Sequence, residues 1–299
     1  MRRVIAAAGR GLVTVGILIL LLVAYQLWGT GLYEARQQSK LKHQFAQTLQ
    51  QRAPPTTTPT TTGPAPTTAT TAPIVVAPPS GEAVAIIRIP KIGVDSAVVE
   101  GVGRPDLRKG PGHYPLTPMP GQIGNAAIAG HRTTYGAPFY RLNELGPGDD
   151  IAIRTTAGTY HYQVTKQLVV LPTDVSVLDP TPDATLTLTT CEPRYSAQKR
   201  LVIHAALVAA HSPPPAPAPT PAVIAQTKAK LSSAGLSGSD QSRLLTLWWG
   251  LAAALVGGLW WLLFHRHPRW TTWFAGVLPF LLVLFVFYSY LDRLLPANY

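Results

Sequence analysis

The sequence is short of cysteine, of charge and of any concentrated basic segment. Its 299 residues contain one cysteine, Cys191. A single thiol closes no disulfide within the chain, which excludes a disulfide-stapled scaffold and leaves a folded domain to be held by its core. Charged residues amount to 13%, against 29 prolines and heavy clusters of threonine. That composition argues against two ordinary soluble domains and requires part of the chain to be linker or membrane segment. The net charge of +11 would suit a nucleic acid. The Lys and Arg residues, however, are scattered or flank apolar runs, with no basic patch interleaved with aromatics, so no nucleic-acid partner is expected. No residue cluster implies a cofactor. The His265-Arg-His267 pair has a metal-like spacing, but it lies in a short basic stretch between apolar runs. It reads as a charged membrane turn, so no metal site is expected.

What is present sorts into segments 1–30, 31–81, 82–211, 212–243 and 244–299. The first apolar run, 11–28, follows Arg2, Arg3 and Arg10 and leaves through Tyr25-Gln-Leu-Trp28. A cleaved leader would end in small residues, so this run reads as an uncleaved transmembrane anchor with a cytoplasmic N-terminus. Residues 31–52 read as a polar helical stalk. Residues 53–80 are almost wholly Thr, Pro and Ala and favour extended conformations, reaching roughly 80 Å at about 3.1 Å per residue. In 82–211 the texture changes. Runs rich in β-branched residues at 83–89, 95–100, 125–129, 150–155, 160–171, 185–190 and 201–209 alternate with Gly/Pro punctuation. Such spacing predicts a mostly β domain, a closed or nearly closed β-barrel, with short helices at 104–109 and 138–144. Segment 212–243 is an extracellular linker with a weakly helical stretch at 223–231. The apolar runs 244–264 and 270–291 are long enough to span and carry interfacial tryptophans and tyrosines, predicting a C-terminal two-helix transmembrane hairpin. The resulting topology is a cell-membrane protein with three spans and an extracytoplasmic β-domain.

Three residues invite chemistry. Cys191 ends the alternating run Thr185-Leu-Thr-Leu-Thr-Thr-Cys191, and Pro193 breaks the strand just beyond it. It is either a buried small residue or a nucleophile, and a nucleophilic thiol needs a base and a cation to favour thiolate. His131 follows the small-residue strand Gly124-Asn-Ala-Ala-Ile-Ala-Gly130, and His113, in Gly110-Pro-Gly-His-Tyr-Pro, is its rival and a candidate for lining the same cleft. Arg200 opens the run after the Cys loop and faces its end, with Arg194 and Lys199 competing for the role. Thr189 and Thr190 are candidate pocket residues, or packing ones.

Taken together these motifs resemble a known family. Thr187-Leu-Thr-Thr-Cys191 is similar to the T-L-x-T-C signature of sortases, Gly130-His131-Arg132 resembles their histidine site, and an Arg nine residues beyond the Cys fits the third position. Cys-Glu-Pro-Arg-Tyr-Ser-Ala before Arg-Leu-Val-Ile-His-Ala is most similar to class E sortases of actinobacteria. The resemblance implies a sortase-like β-barrel and a cell-surface cysteine transpeptidase without cofactor. Such an enzyme cleaves an LPxTG- or LAxTG-like sorting signal between Thr and Gly. It joins the acyl group to a peptidoglycan-precursor or pilin amine. Cys191 is then nucleophile, His131 acid and base, and Arg200 the oxyanion partner. The partners implied are surface proteins bearing a C-terminal sorting signal, the amine acceptor and the membrane. The C-terminal hairpin exceeds what a sortase anchor needs. Two other readings compete. One is an L,D-transpeptidase, whose local Ser-His-Gly-Cys is absent here. The other is a non-catalytic wall-binding module with Cys191 buried.

Overall fold

The structure, a computed structural model, describes residues 2–52, 78–115, 117–217, 243–264 and 270–291. Contacts divide the chain into one unit built on Met1–Thr30 and Ser239–Ala297 and another built on Gly31–Gly238.

The second unit contains the strands β1 (Ala83–Ile89), β2 (Val94–Glu100), β3 (Gly112–His113), β4 (Gly124–Ala129), β5 (Asp150–Arg154), β6 (Thr159–Val170), β7 (Ala184–Glu192) and β8 (Lys199–Leu207). They close into a barrel in the order β1-β2-β3-β4-β7-β8-β6-β5, with β5 returning antiparallel onto β1. Neighbours run antiparallel except at β2/β3 and β4/β7, which are parallel. Alternation directs Ile87, Ile89, Ile128, Ile151, Ile153, Tyr162, Leu186, Leu188 and Ile203 into one core, which Phe139 and Leu142 cap from the loop after β4. β4 is buried along its whole length, and its Gly-Asn-Ala-Ala-Ile-Ala sequence suits a strand covered on both faces, where bulk is limiting.

The expected strand runs are all present, the first with unchanged ends and the others shifted by a residue or two. The expected helices shrink to α3 (Arg104–Leu107) and a 3-10 turn at Leu142–Glu144. β3 was not anticipated, because two residues carry no periodicity. The expected extended linker at 53–77, the helical stretch at 223–231 and the basic turn at 265–269 lie outside the described residues.

Two helices precede the barrel in sequence, α1 (Arg2–Ala24) and α2 (Thr30–Arg52), with a wide π-type turn at Tyr25–Gly29 between them. The helix expected as a stalk, α2, is docked on the barrel. Leu41 and Phe45, one helical turn apart, are buried, and Leu41 packs with Ala97 and Val99 of β2. Gln38 acts as a clamp: its Nε2 donates to the carbonyls of Ala97 (3.0 Å) and Lys109 (2.8 Å), and its Oε1 accepts from the Ala97 amide (2.7 Å). Lys42 pairs with Asp95 at 2.8 Å. Glu34 lies against Gly136, where a Cβ would come 2.4 Å from its carboxylate. Burial pushes the Glu34 carboxyl up to about 7, against the pull of Lys42.

The first unit packs α1 with α4 (Arg243–Phe264) and α5 (Trp270–Leu291). The Tyr288 hydroxyl donates to the Leu18 carbonyl at 2.7 Å, and the Thr246 hydroxyl to the Tyr290 carbonyl at 3.1 Å. Gly276 lets Trp260 approach, since a Cβ there would stand 2.0 Å from the indole. Among the described residues, Leu245–Leu263 is long and apolar enough to cross a membrane, whereas Gly11–Ala24 and Gly276–Leu291 are shorter apolar stretches. The expectation of three spans thus meets, among the described residues, one apolar stretch of spanning length and two shorter ones.

Two outcomes follow for α2. Gln38→Ala strips partners from buried main-chain groups and should weaken docking by about 2 kcal/mol, read as roughly thirtyfold faster amide exchange at Ala97. Unchanged exchange there would show that the clamp is not what holds the helix. For Glu34 the folded-state pKa is raised, so its contribution is complete below the ordinary carboxyl range and is lost as pH rises through about 7. Exchange in α2, corrected for the intrinsic rate, should therefore slow on going from pH 8 to pH 5. Glu34→Gln should remove that dependence.

Candidate active site

Strand register brings the chemistry-bearing residues to one end of the barrel. β4 and β7 run parallel with Ala129 opposite Thr189, so His131 and Cys191 each lie two residues past the same rung. On the other side of β7, antiparallel β8 sets Arg200 directly opposite Cys191. β8 begins at Lys199, so Arg200, expected to open the strand, is its second residue. The junction between β4 and β7 is sealed twice. Gly130 N donates to the Thr189 carbonyl at 3.0 Å, and the Thr190 hydroxyl donates to the Gly130 carbonyl at 2.7 Å. Gly130 faces the Phe139 ring so closely that a Cβ would sit 2.5 Å from it. Phe139 N in turn donates to the His131 carbonyl at 3.1 Å, folding the loop back over the strand end.

Within that loop His131 is buried, with its Nδ1 3.3 Å from the Thr134 hydroxyl and its ring centroid 5.1 Å from that of Tyr135. Tyr135, Gly136 and Ala137 have φ of 49°, 73° and 45°, a left-handed run that makes the loop turn sharply behind the imidazole. Tyr135 is held on its outer side by the Arg108 guanidinium, 5.4 Å from the ring centroid, and by the edge of Tyr33 from α2.

Cys191 is 1% exposed, and burial pushes its thiol up to about 11. Two guanidinium groups work against that burial, Arg200 first and Arg132 second. Arg200 is itself 1% exposed and donates to the carbonyls of Ala197 (3.0 Å) and Lys199 (3.1 Å), bracing the loop between β7 and β8. Arg132, 3% exposed, donates to the Cys191 carbonyl at 2.7 Å, to the Glu192 carboxylate, and to Asn143 Oδ1 at 3.0 Å. Beyond its place beside His131, nothing in the sequence singles Arg132 out, because its partners lie in another strand.

The remaining candidates occupy more ordinary positions. Arg194 stacks 4.2 Å over the Tyr140 ring and donates to Asn143 Oδ1 at 3.1 Å, and Lys199 is exposed opposite Glu192. Thr190 spends its hydroxyl on Gly130, and Thr189 shares one at 3.1 Å with Tyr114. His113 is buried in the β2–β3 wall rather than in an open cleft. Its Nδ1 is 2.8 Å from the Glu100 carboxylate, and its Nε2 is 3.0 Å from both the Pro118 carbonyl and the Thr117 hydroxyl. Among the described residues no group of three His, Cys, Asp or Glu side chains is arranged to hold a metal ion.

This arrangement has relatives. The chain is 32% identical to sortase SrtE1 of Streptomyces coelicolor over 68% of its own length and 56% of the relative's. It is 36% identical to sortase D of Bacillus subtilis, over 42% of its own length and 65% of the relative's. It thus spans between half and two thirds of these curated relatives. The crystal structure of sortase E1 from Streptomyces coelicolor with a tripeptide in the active site matches 43% of this chain and 89% of that one, at 35% identity and a TM-score of 0.41. Residues 87–208, which run from β1 through the end of β8 and include Cys191, His131 and Arg200, match the family model of the sortase domain, and this barrel is a domain of the sortase family.

Proposed function

We propose that the barrel is a cell-surface cysteine transpeptidase acting on LPxTG- or LAxTG-like sorting signals. The observation that carries this reading is the register. Cys191 stands opposite Arg200 in one strand pair, and it ends level with His131 in the other. The Cys191 sulfur, as thiolate, attacks the Thr–Gly carbonyl, and the Arg200 guanidinium stabilises the oxyanion that forms. His131 donates a proton to the departing glycine amine, leaving a thioester. It then takes a proton from an incoming peptidoglycan-precursor or pilin amine, which attacks the thioester and expels the Cys191 thiolate, restoring the starting pair. In this reading Thr189 remains a candidate for the pocket through its hydroxyl pair with Tyr114. His113 acts on substrate only through the wall it stiffens.

The same reading sets the protein in a membrane. The first apolar run and the C-terminal pair of helices give three spans with the N-terminus inside, and the 53–80 segment spaces the barrel from the surface. The arginines before the first run and the basic 265–269 turn support that orientation.

One observation favours the rival in which Cys191 is an inert core residue: its near-complete burial. Against it stand the two buried guanidinium groups beside the sulfur. Both cations favour the thiolate over the neutral thiol, a bias for which a packing residue has no use.

Incubation of the protein with a sorting-signal peptide should yield an acyl adduct on Cys191 detectable by intact mass, and Cys191→Ala should form none while melting within a few degrees of the parent. Turnover by Cys191→Ala well above background would sink the nucleophile assignment. Because burial raises the thiol, thiolate is scarce at neutral pH, and alkylation by iodoacetamide should climb about tenfold per pH unit from 7 to 10 without a plateau. Arg200→Lys keeps the charge but loses the fork. It should leave that alkylation profile nearly in place and lower kcat/KM about a hundredfold, on the order of 3 kcal/mol. Arg194→Lys should change kcat/KM little, and the reverse ranking would transfer the role.

A further inference from the structure

The bond from Arg132 to the Cys191 carbonyl takes the place of a missing rung. In a parallel pair, residues two apart on one strand present their carbonyls to the same neighbour. Thr189 O accepts from Gly130 N, so a continued ladder would bring Arg132 N to Cys191 O. The chain instead turns away after Gly130, with Phe139 N closing onto the His131 carbonyl. The acceptor on Cys191 is taken by the Arg132 side chain at 2.7 Å. A guanidinium arm is longer than a main-chain rung, so the two strand ends can diverge without leaving a buried carbonyl unpaired.

The arm is held from several directions. The same nitrogen reaches the Glu192 carboxylate, and the other terminal nitrogen donates to Asn143, whose Oδ1 also accepts from Arg194. Glu192 is 28% exposed and Arg132 only 3%, so the cation is fixed on the inside and its carboxylate partner faces outward. Successive side chains of the loop therefore divide the work. His131 packs on Tyr135, while Arg132 crosses to the residue that carries the thiol.

We propose that Arg132 is a positioning residue. By holding the Cys191 carbonyl and Glu192 from the histidine loop, it fixes where the Cys191 side chain points relative to His131 and keeps a cation beside the sulfur. This rests on the reading of Cys191 and His131 given above. The nearer alternative is that Arg132 is only a staple between two loops, contributing stability and nothing to the chemistry.

The test uses the full chain with Arg132→Met, Arg132→Lys and Glu192→Gln. It follows the pH profile of iodoacetamide alkylation at Cys191, kcat and KM with a sorting-signal peptide, and the melting temperature. Arg132→Met should move the alkylation profile to higher pH by about one unit or more, since an opposite charge has left the thiolate. It should lower kcat roughly a hundredfold with KM changed less than about threefold, the signature of geometry lost at the reacting atoms. Arg132→Lys should restore most of the alkylation profile by its charge but recover only about a tenth of kcat, because an ammonium cannot hold all three acceptors in plane. Glu192→Gln should leave the alkylation profile at or below the parent's pH and lower kcat severalfold. The proposal is overturned if Arg132→Met melts lower but keeps the parent's alkylation profile and kcat. Should Arg132→Met not fold, full kcat in Arg132→Lys overturns the proposal instead. A parent that turns over no sorting peptide would defeat the transpeptidase reading alone, since alkylation needs no substrate and still decides the place of Arg132.

Discussion

The parallel pairing of β4 with β7 is the constraint on which the rest of the site depends, because it makes two strands far apart in sequence run out on the same rung. An antiparallel pair would have put their C-terminal ends at opposite rims of the barrel. β8 then adds the third residue without further specification, since an antiparallel return after a short loop sets its beginning against the end of β7. Each of the small-residue choices in β4 serves that pairing. The alanines let the strand lie buried on both faces, and Gly130 admits Phe139 against the strand end. The loop behind His131 can then fold tightly, and its left-handed run from Tyr135 to Ala137 supports the imidazole with an aromatic face.

Much of the barrel could be read in advance because its strands are long enough to show alternation and are bounded by Gly and Pro. Cys191 and His131 were expected at or just past the end of such a run and Arg200 near the start of one, and the structure sets all three at one end of the barrel. What escaped were features defined by a partner remote in sequence. β3 is too short to have a pattern and exists only as a bridge between β2 and β4. Gln38 looks like any polar residue of an exposed helix until the barrel brings the main-chain groups of Ala97 and Lys109 against it. Arg132 reads as a loop cation, and the Cys191 carbonyl it holds is 59 residues away. His113 sits in a Gly- and Pro-rich turn that suggested a cleft, while its carboxylate partner Glu100 belongs to a different strand.

The site is also unusual in how much charge it keeps dry. Arg200 and Arg132 are both almost wholly buried, and their hydrogen bonds go largely to main-chain carbonyls, of Ala197, Lys199 and Cys191. Carbonyl dipoles solvate a cation without cancelling its charge, so the field at the sulfur survives. Glu192 supplies a formal counter-charge to Arg132, and it does so from the water side. A thiol in such a setting is guarded by burial when nothing is bound, yet lies beside the cations that would favour its charged form.

Closure of the barrel limits how a guest chain could be held. Every strand already has two neighbours, with even the β2 to β4 gap bridged by the two residues of β3. Little free edge is left for a guest chain to join as an extra strand, the route by which many proteins capture extended peptides, since even the Ala97 main-chain groups of β2, beyond the two-residue reach of β3, are taken by Gln38. The side chains and loops that rise from one rim, those after β4 and β7, are the surfaces left for such a guest. Those segments can change length and composition without disturbing the ring beneath them, so what the rim admits can change while the rung that carries Cys191 stays fixed.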